Sequence, residues 1–231
     1  MPVSELEKYA AGGYLPASFL DWDGRVSAVV FTIGCNFRCP WCHNGALAEG
    51  RAEPMPVSEI LSDIARRAKF LDGVCVSGGE PTLWDGLEPF IRETAKLGLP
   101  VKLDTNGSNP DIVRRLLAER LIAHVAMDVK APLDADSYWR VARSRVPIEN
   151  IRESIRIIKS TAPSWEFRTT WVPSIMTPDD LRAVREYLND DARWFVQCFK
   201  PVGCLDAEFL SQKAADPQEL ERLLPGVTIR G

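Results

Sequence analysis

Residues 26–44 read Val-Ser-Ala-Val-Val-Phe-Thr-Ile-Gly-Cys-Asn-Phe-Arg-Cys-Pro-Trp-Cys-His-Asn. The apolar run Val26–Ile33 predicts a buried strand. Cys35, Cys39 and Cys42 follow it at Cys-x3-Cys-x2-Cys spacing, which puts three thiols on the loop leaving that strand's C-terminal end. Three thiolates on one loop can hold a single metal centre. A [4Fe–4S] cluster ordinarily takes four cysteines, so a cluster held by three leaves one iron open to a ligand.

On the C-terminal side of this stretch, strand-like and helix-like segments alternate. Further strands are predicted over Gly73–Ser77, Val101–Asp104, Ala123–Val129, Glu166–Val172 and Trp194–Phe199. Ser58 is placed to cap a helix from Glu59, in which Ile60, Leu61, Ile64, Ala65 and Ala68 recur at helical spacing. Other helices are predicted over Leu83–Leu97, Pro110 to about Arg120, Asn150–Thr161 and Pro178–Leu188. Six β-then-α units point to an α/β fold with a parallel sheet that curls into a barrel or part of one. The stretch from Cys204 onward, with short amphipathic helices at Ala207–Ala214 and Pro217–Leu224, is expected to pack across an opening or an edge.

Composition narrows the function classes. The 231 residues are 45% hydrophobic and 26% charged, enough for one domain, 1–231, with a substantial core. Its core is expected over about 24–200, with 201–231 as a C-terminal extension. A net charge of −4 and no run of Lys or Arg argue against general nucleic-acid binding. The first 25 residues hold no signal-peptide core, and no stretch approaches the roughly 18 apolar residues of a membrane span. A soluble, cytoplasmic protein is the expectation. In that setting six cysteines speak for metal or redox chemistry before disulfides.

In parallel α/β folds the functional groups sit on loops at the C-terminal strand ends. Here those loops carry Cys35–Cys42, Ser77-Gly78-Gly79-Glu80-Pro81, Asp104-Thr105-Asn106-Gly107, and Asp128 with Lys130. One mouth therefore collects them all. A plainer reading of the cysteines is structural zinc held by three Cys and His43. Against it, zinc sites usually draw on two separated pairs, and zinc gives no reason for the Gly-Gly-Glu loop.

Cys35-x3-Cys39-x-Trp41-Cys42 resembles the signature of the radical S-adenosylmethionine (SAM) superfamily. The resemblance implies a partial (β/α)6 barrel and a [4Fe–4S] cluster held by Cys35, Cys39 and Cys42. It further implies that the open iron chelates SAM, whose reductive cleavage yields methionine and a 5′-deoxyadenosyl radical. Ser77, Gly78, Gly79 and Glu80 resemble the loop that accepts hydrogen bonds from the methionine ammonium, with glycines that let backbone approach a ligand. Trp41 is expected near the adenine.

Cys42-His43-Asn44, Asp104-Thr105-Asn106-Gly107 and Asp128-x-Lys130 are similar to the activating enzymes of glycyl-radical enzymes, which makes His43 and Asn106 cofactor-facing as well. Ser18–Gly24 resembles the branch that activates anaerobic ribonucleoside-triphosphate reductase, although Trp22-Asp23 stands where Tyr-Pro is common. The resemblance implies a monovalent cation on Asp104, Thr105 and Asp128, whose competing role is helix capping. Lys130 and Arg168 are implied to neutralise the SAM carboxylate or grip the partner's loop; simple solvation is the alternative. The implied partners are a glycyl-radical enzyme, with pyruvate formate-lyase as a further candidate, and flavodoxin or ferredoxin as electron donor. Rival readings are a radical enzyme acting on a small molecule and a zinc-stabilised binding module. Cys75 and Cys198 read as buried strand thiols, Cys204 as a loop thiol and His124 as structural.

Overall fold

The computed structural model describes residues 6–189 and 193–231. Its main sheet has eight strands: β1 (Gly13–Ser18), β2 (Ser27–Thr32), β3 (Gly73–Gly78), β4 (Val101–Thr105), β5 (His124–Asp128), β6 (Trp165–Trp171), β7 (Trp194–Cys198) and β8 (Thr228–Arg230). The spatial order is the chain order, with β2 to β8 mutually parallel and β1 antiparallel to β2 at one edge. Parallel connections are almost always right-handed. A strand order that never reverses therefore keeps the crossover helices on one face, and the sheet curls around the other as a partial barrel. β1 and β8 are the two sheet edges and do not pair with each other, which leaves the barrel open along its side.

Those helices are α1 (Val57–Arg67), α2 (Leu87–Lys96), α3 (Pro110–Ala118), α4 (Ala135–Ala142), α5 (Ile148–Thr161), α6 (Pro178–Leu188) and α7 (Pro217–Leu223). In α1, Val57, Ile60, Leu61 and Ile64 share the buried face, while Arg66 and Arg67 pair with Asp63 in solvent. Strand residues split by alternation. Val101, Leu103, Val125, Met127, Phe167 and Val196 join the apolar core. Lys102, Asp104, His124, Asp128, Glu166, Arg168 and Gln197 instead line the cavities inside the barrel. Each fully buried Val, Leu or Ile contributes roughly 1.5–3 kcal/mol, so the outer face holds the fold together and the inner face is left for polar chemistry.

Several local expectations need correction. α1 begins at Val57 with Pro56 at its N-cap, so Ser58 lies inside the helix and caps nothing. The predicted helix over Leu83–Leu97 is a 3-10 turn, Pro81–Leu83, followed by α2. Ala207–Ala214 forms only a 3-10 turn over Ala207–Ser211. The alternation gave no sign of β1, α4 or β8; the last of these adds the chain's final residues to the sheet edge beside β7.

Candidate active site

The cysteine loop is held by backbone on both sides. Gly34 turns the chain at φ +89°, its N–H donating to the Leu47 carbonyl, while Cys35 N–H donates to Ala48 in the single helical turn Gly45–Ala48. On the other side α4 clamps the loop. Arg38 N–H donates to the Ala142 carbonyl at 2.9 Å and Trp41 Nε1–H to the Val141 carbonyl at 3.1 Å. Phe37, 2% exposed, packs edge-on against Tyr138 of α4. The Arg38 guanidinium donates to the Cys35 and Phe37 carbonyls. A loop so braced presents its thiols at fixed positions, as a cluster site needs.

The Gly-Gly-Glu loop packs directly on this turn. A Cβ on Gly79 would stand 2.0 Å from the Gly34 carbonyl oxygen, and one on Gly78, at φ +119°, would stand 2.2 Å from Thr32 N. Glu80 N–H donates to Gly34 O at 2.8 Å. The glycines thus serve a backbone-to-backbone contact between two loops, a reason different from the approach to a ligand expected from sequence.

Glu80 is 1% exposed. Its Oε1 accepts from Thr82 Oγ1 at 2.6 Å, Thr105 Oγ1 at 2.7 Å and Thr82 N–H at 3.1 Å, while Oε2 accepts from Asn106 N–H at 2.7 Å. Burial pushes its pKa up, and these donors offset only part of the effect. Asn106 also reaches the cysteine loop, donating to Asn36 Oδ1 at 2.9 Å and standing 3.8 Å from Cys35 Sγ.

Charged side chains close the other wall. Asp128 lies between Lys130 and Arg168, each 2.8 Å away. Burial alone would raise its pKa, but the two cations hold it down to about 2. Asp104 is likewise lowered against its burial by Arg168 and Lys102. Lys130 Nζ sits 5.0 Å from the centre of the Trp41 ring, an arrangement that favours a cation over the indole face. Burial raises the Cys35 thiol to about 11 and the Cys39 thiol to about 12, so a metal that binds there must displace protons.

These groups line one cavity of about 310 Å³. Cys35, Cys39, Trp41, Cys42, His43, Ser77, Gly78, Gly79, Glu80, Asp104, Thr105, Asn106, Asp128, Lys130 and Arg168 all border it, so the structure brings every sequence-derived candidate together. His43 is exposed, and its Nε2 lies 3.0 Å from the Lys200 carbonyl, to which an N–H there would donate. No sequence motif marks Thr82, Thr170 or Gln197, which also border the cavity or support it. Thr82 holds Glu80, while Thr170 and Gln197 border the cavity from the inward positions of β6 and β7, findable only by alternation once those strands are aligned. Cys198 is half-buried and borders the same cavity, whereas Cys75 is fully buried.

Comparison with known proteins follows the same lines. The family description "Radical SAM superfamily" matches residues 29–188. The chain is a member of the radical SAM superfamily. A protein of Methanocaldococcus jannaschii provisionally named glycyl-radical enzyme activating enzyme MJ1227 is 35% identical over 221 residues, covering 94% of this chain and 90% of its own. A 7-carboxy-7-deazaguanine synthase of Rhodospirillum rubrum is 38% identical, but over 88 residues only, 38% of this chain and 36% of that one. Among solved structures, Streptococcus suis SuiB bound to its precursor peptide SuiA superposes with a TM-score of 0.62 at 18% identity, over 84% of this chain and 43% of that one, which speaks for the fold. This radical SAM protein is therefore an enzyme of the glycyl-radical activating group, and its family works with a [4Fe–4S] cluster and SAM. Among the described residues no helix is long and apolar enough to cross a membrane.

Proposed function

We propose that this radical SAM enzyme generates a glycyl radical on a partner protein, most directly anaerobic ribonucleoside-triphosphate reductase. The observation that carries the proposal is the single cavity in which three thiols face the Gly78-Gly79-Glu80 loop. Among the described residues no three His, Cys, Asp or Glu side chains converge as a lone ion requires. His43, the fourth ligand that a zinc reading needs, is exposed and lies with its Nε2 3.0 Å from the Lys200 carbonyl, which favours a cluster on the three thiols over tetrahedral zinc. A [4Fe–4S] cluster held by Cys35, Cys39 and Cys42 would supply the one-electron chemistry that cleaves SAM for radical transfer to the partner's glycine.

The chain's own residues bind and orient. Glu80 Oε2, with one backbone donor, retains capacity to accept from the methionine ammonium. Trp41, fixed through Val141, offers a rigid face beside the thiols for the adenine. Lys130 and Arg168 give the wall positive charge for a carboxylate. The open side between β1 and β8 gives a glycine loop a way in, and low-potential electrons come from flavodoxin or ferredoxin. Asp104, Thr105 and Asp128 are the residues for a monovalent cation: Arg168 bridges the two carboxylates and Thr105 Oγ1 is engaged with Glu80 and with Gly107 N–H, while Asp104 Oδ1 is buried without a hydrogen-bond partner and keeps capacity for an ion.

A small-molecule substrate is the weaker reading, because the synthase match covers 38% of the chain against 94% for the activating relative. The test is to mix the reduced, cluster-loaded enzyme and SAM with candidate glycyl-radical enzymes and record electron paramagnetic resonance. A glycyl signal on the ribonucleotide reductase supports the proposal. A signal on a pyruvate formate-lyase-type enzyme alone would shift the partner, and no protein radical on any candidate would refute it.

A further inference from the structure

α4 clamps the cysteine loop through backbone and ring contacts, and one of its polar atoms has no part in that clamp. Tyr138 is fully buried, and its ring packs edge-on against Phe37 with the centroids 6.3 Å apart. Its hydroxyl oxygen is buried and has no hydrogen-bond partner. The Lys130 backbone N–H is turned toward that oxygen without reaching hydrogen-bond geometry, and as a donor it cannot take the hydroxyl proton. The acidic groups whose charge acts on the hydroxyl are Asp128 and Cys39. Asp128 already holds Lys130 and Arg168, one on each oxygen at 2.8 Å. Cys39 is 6% exposed and is one of the thiols that border the catalytic cavity.

A buried hydroxyl without an acceptor costs stability, and nearly all such groups in folded proteins are satisfied. Phenylalanine would give α4 the same ring against Phe37 without that cost. The orphaned proton therefore points to a partner that arrives after folding. A cysteine that binds a metal cluster does so as the thiolate, and inorganic sulfide comes with the iron. Loading the site thus places sulfur acceptors at Cys39 that the cluster-free protein does not have.

We infer that Tyr138 is a positioning residue for the cluster: its hydroxyl donates to sulfur at the Cys39 corner and so sets the potential at which the cluster accepts an electron. The inference rests on the reading that Cys35, Cys39 and Cys42 hold a [4Fe–4S] cluster. A hydrogen bond to sulfur stabilises the reduced cluster, which carries one more negative charge, and raises its potential. The external one-electron donor then reduces it more readily. Tyr138 does not border the cavity, so it acts through the cluster alone.

The test compares wild type with Tyr138→Phe, both reconstituted anaerobically and both assayed for iron and sulfide. The midpoint potential is read without SAM, in a redox titration followed by electron paramagnetic resonance. The variant's potential should be lower, with its reduction equilibrium constant down about tenfold, or about 59 mV for one electron. Electron–nuclear double resonance on the reduced wild-type cluster should show a coupled proton that exchanges in deuterium oxide and is missing from the variant. In the cluster-free state the variant should unfold at the same denaturant concentration as wild type or higher, because no bond is lost there. Equal potentials in the two loaded proteins, or the same exchangeable proton in both, would overturn the inference. A cluster-free variant that is clearly less stable, or does not fold, would also overturn it, since the hydroxyl would then serve the fold. A folded variant that loads no cluster would do the same, by making the hydroxyl a requirement of assembly and not of potential. Iron and sulfide missing from the wild type would contradict the cluster reading itself, an outcome distinct from an unchanged potential.

Discussion

The half-barrel has a cavity at each mouth, and the larger one is not the candidate site. The cavity at the N-terminal strand ends has a volume of about 720 Å³, against about 310 Å³ at the cysteine loop, and Arg168 and Gln197 border both. In the larger cavity the charges close on one another. Arg230 donates to Glu166 at 2.9 and 3.1 Å and to Asp23 at 2.6 Å, Lys102 donates to the Asp21 carbonyl, and His124 Nδ1 lies 2.9 Å from Ser164 Oγ. Arg25, Arg193 and Arg230 lie over the rings of Trp22, Trp165 and Phe195. In the smaller cavity four free thiols, Cys35, Cys39, Cys42 and Cys198, line the wall, and one oxygen of the buried Glu80 carboxylate, with a single backbone donor, keeps bonding capacity. Unspent valence on a braced frame marks the chemistry here, and volume does not.

Substitutions on the two mouths should separate sharply. The largest effect belongs to Cys39→Ser. Reconstituted protein should lose its brown cluster, measured as iron and sulfide, and SAM cleavage should fall to background. Cleavage at the wild-type rate would remove Cys39 from the ligand set. Gly79→Ala comes next, because its Cβ would meet the Gly34 carbonyl at 2.0 Å, backbone against backbone. The expected cost is about 1–3 kcal/mol of stability, seen in denaturant unfolding, together with loss of SAM binding. Gly98→Ala is the control: at φ +76° it carries backbone strain that Gly79 does not, but its Cβ meets nothing within 4 Å, so it should leave SAM binding intact.

Glu80→Gln should weaken SAM binding by about tenfold, or about 1.4 kcal/mol. The sign of the pH dependence follows from burial. The Glu80 pKa is raised, and the ammonium needs the ionised carboxylate. Wild-type affinity should therefore fall as pH drops, starting above the usual glutamate range near 4.3, and Glu80→Gln should lack this limb. The smallest effect on chemistry belongs to the other mouth. Glu166→Gln breaks the pair with Arg230 and should cost about 1–2 kcal/mol of stability, less than a fully buried pair because Arg230 is 27% exposed. SAM cleavage should stay within about twofold of wild type; a large loss there would mean the two mouths are not functionally distinct.

Much of this contrast is legible in the sequence. The six central strands are apolar runs between loop signals, and the rule that function gathers at C-terminal strand ends groups Cys35, Glu80, Asp104 and Asp128 before any coordinates exist. The clamp on the cysteine loop is less visible. α4 has a readable start, with Asp134 accepting from Ser137 N–H and Tyr138, Val141 and Ala142 at helical spacing, but its eight residues lie in the stretch between the strand ending at Val129 and the helix from Asn150, to which the alternation assigns no element. β1 contains Pro16 and has exposed positions, and β8 has three residues, so neither shows an apolar period. Trp22, where a related branch carries Tyr, is 7% exposed, packs beside His124 and closes on Gly73. The bridge through Arg168 depends on register between β5 and β6, which no local pattern encodes.

The most direct measurement is anaerobic reconstitution with iron and sulfide, followed by reduction and incubation with SAM. Brown protein that forms 5′-deoxyadenosine and methionine in equal amounts, with formation lost in Cys39→Ser, is the predicted result. A colourless, zinc-loaded protein, or an iron-loaded one that leaves SAM intact, would contradict it.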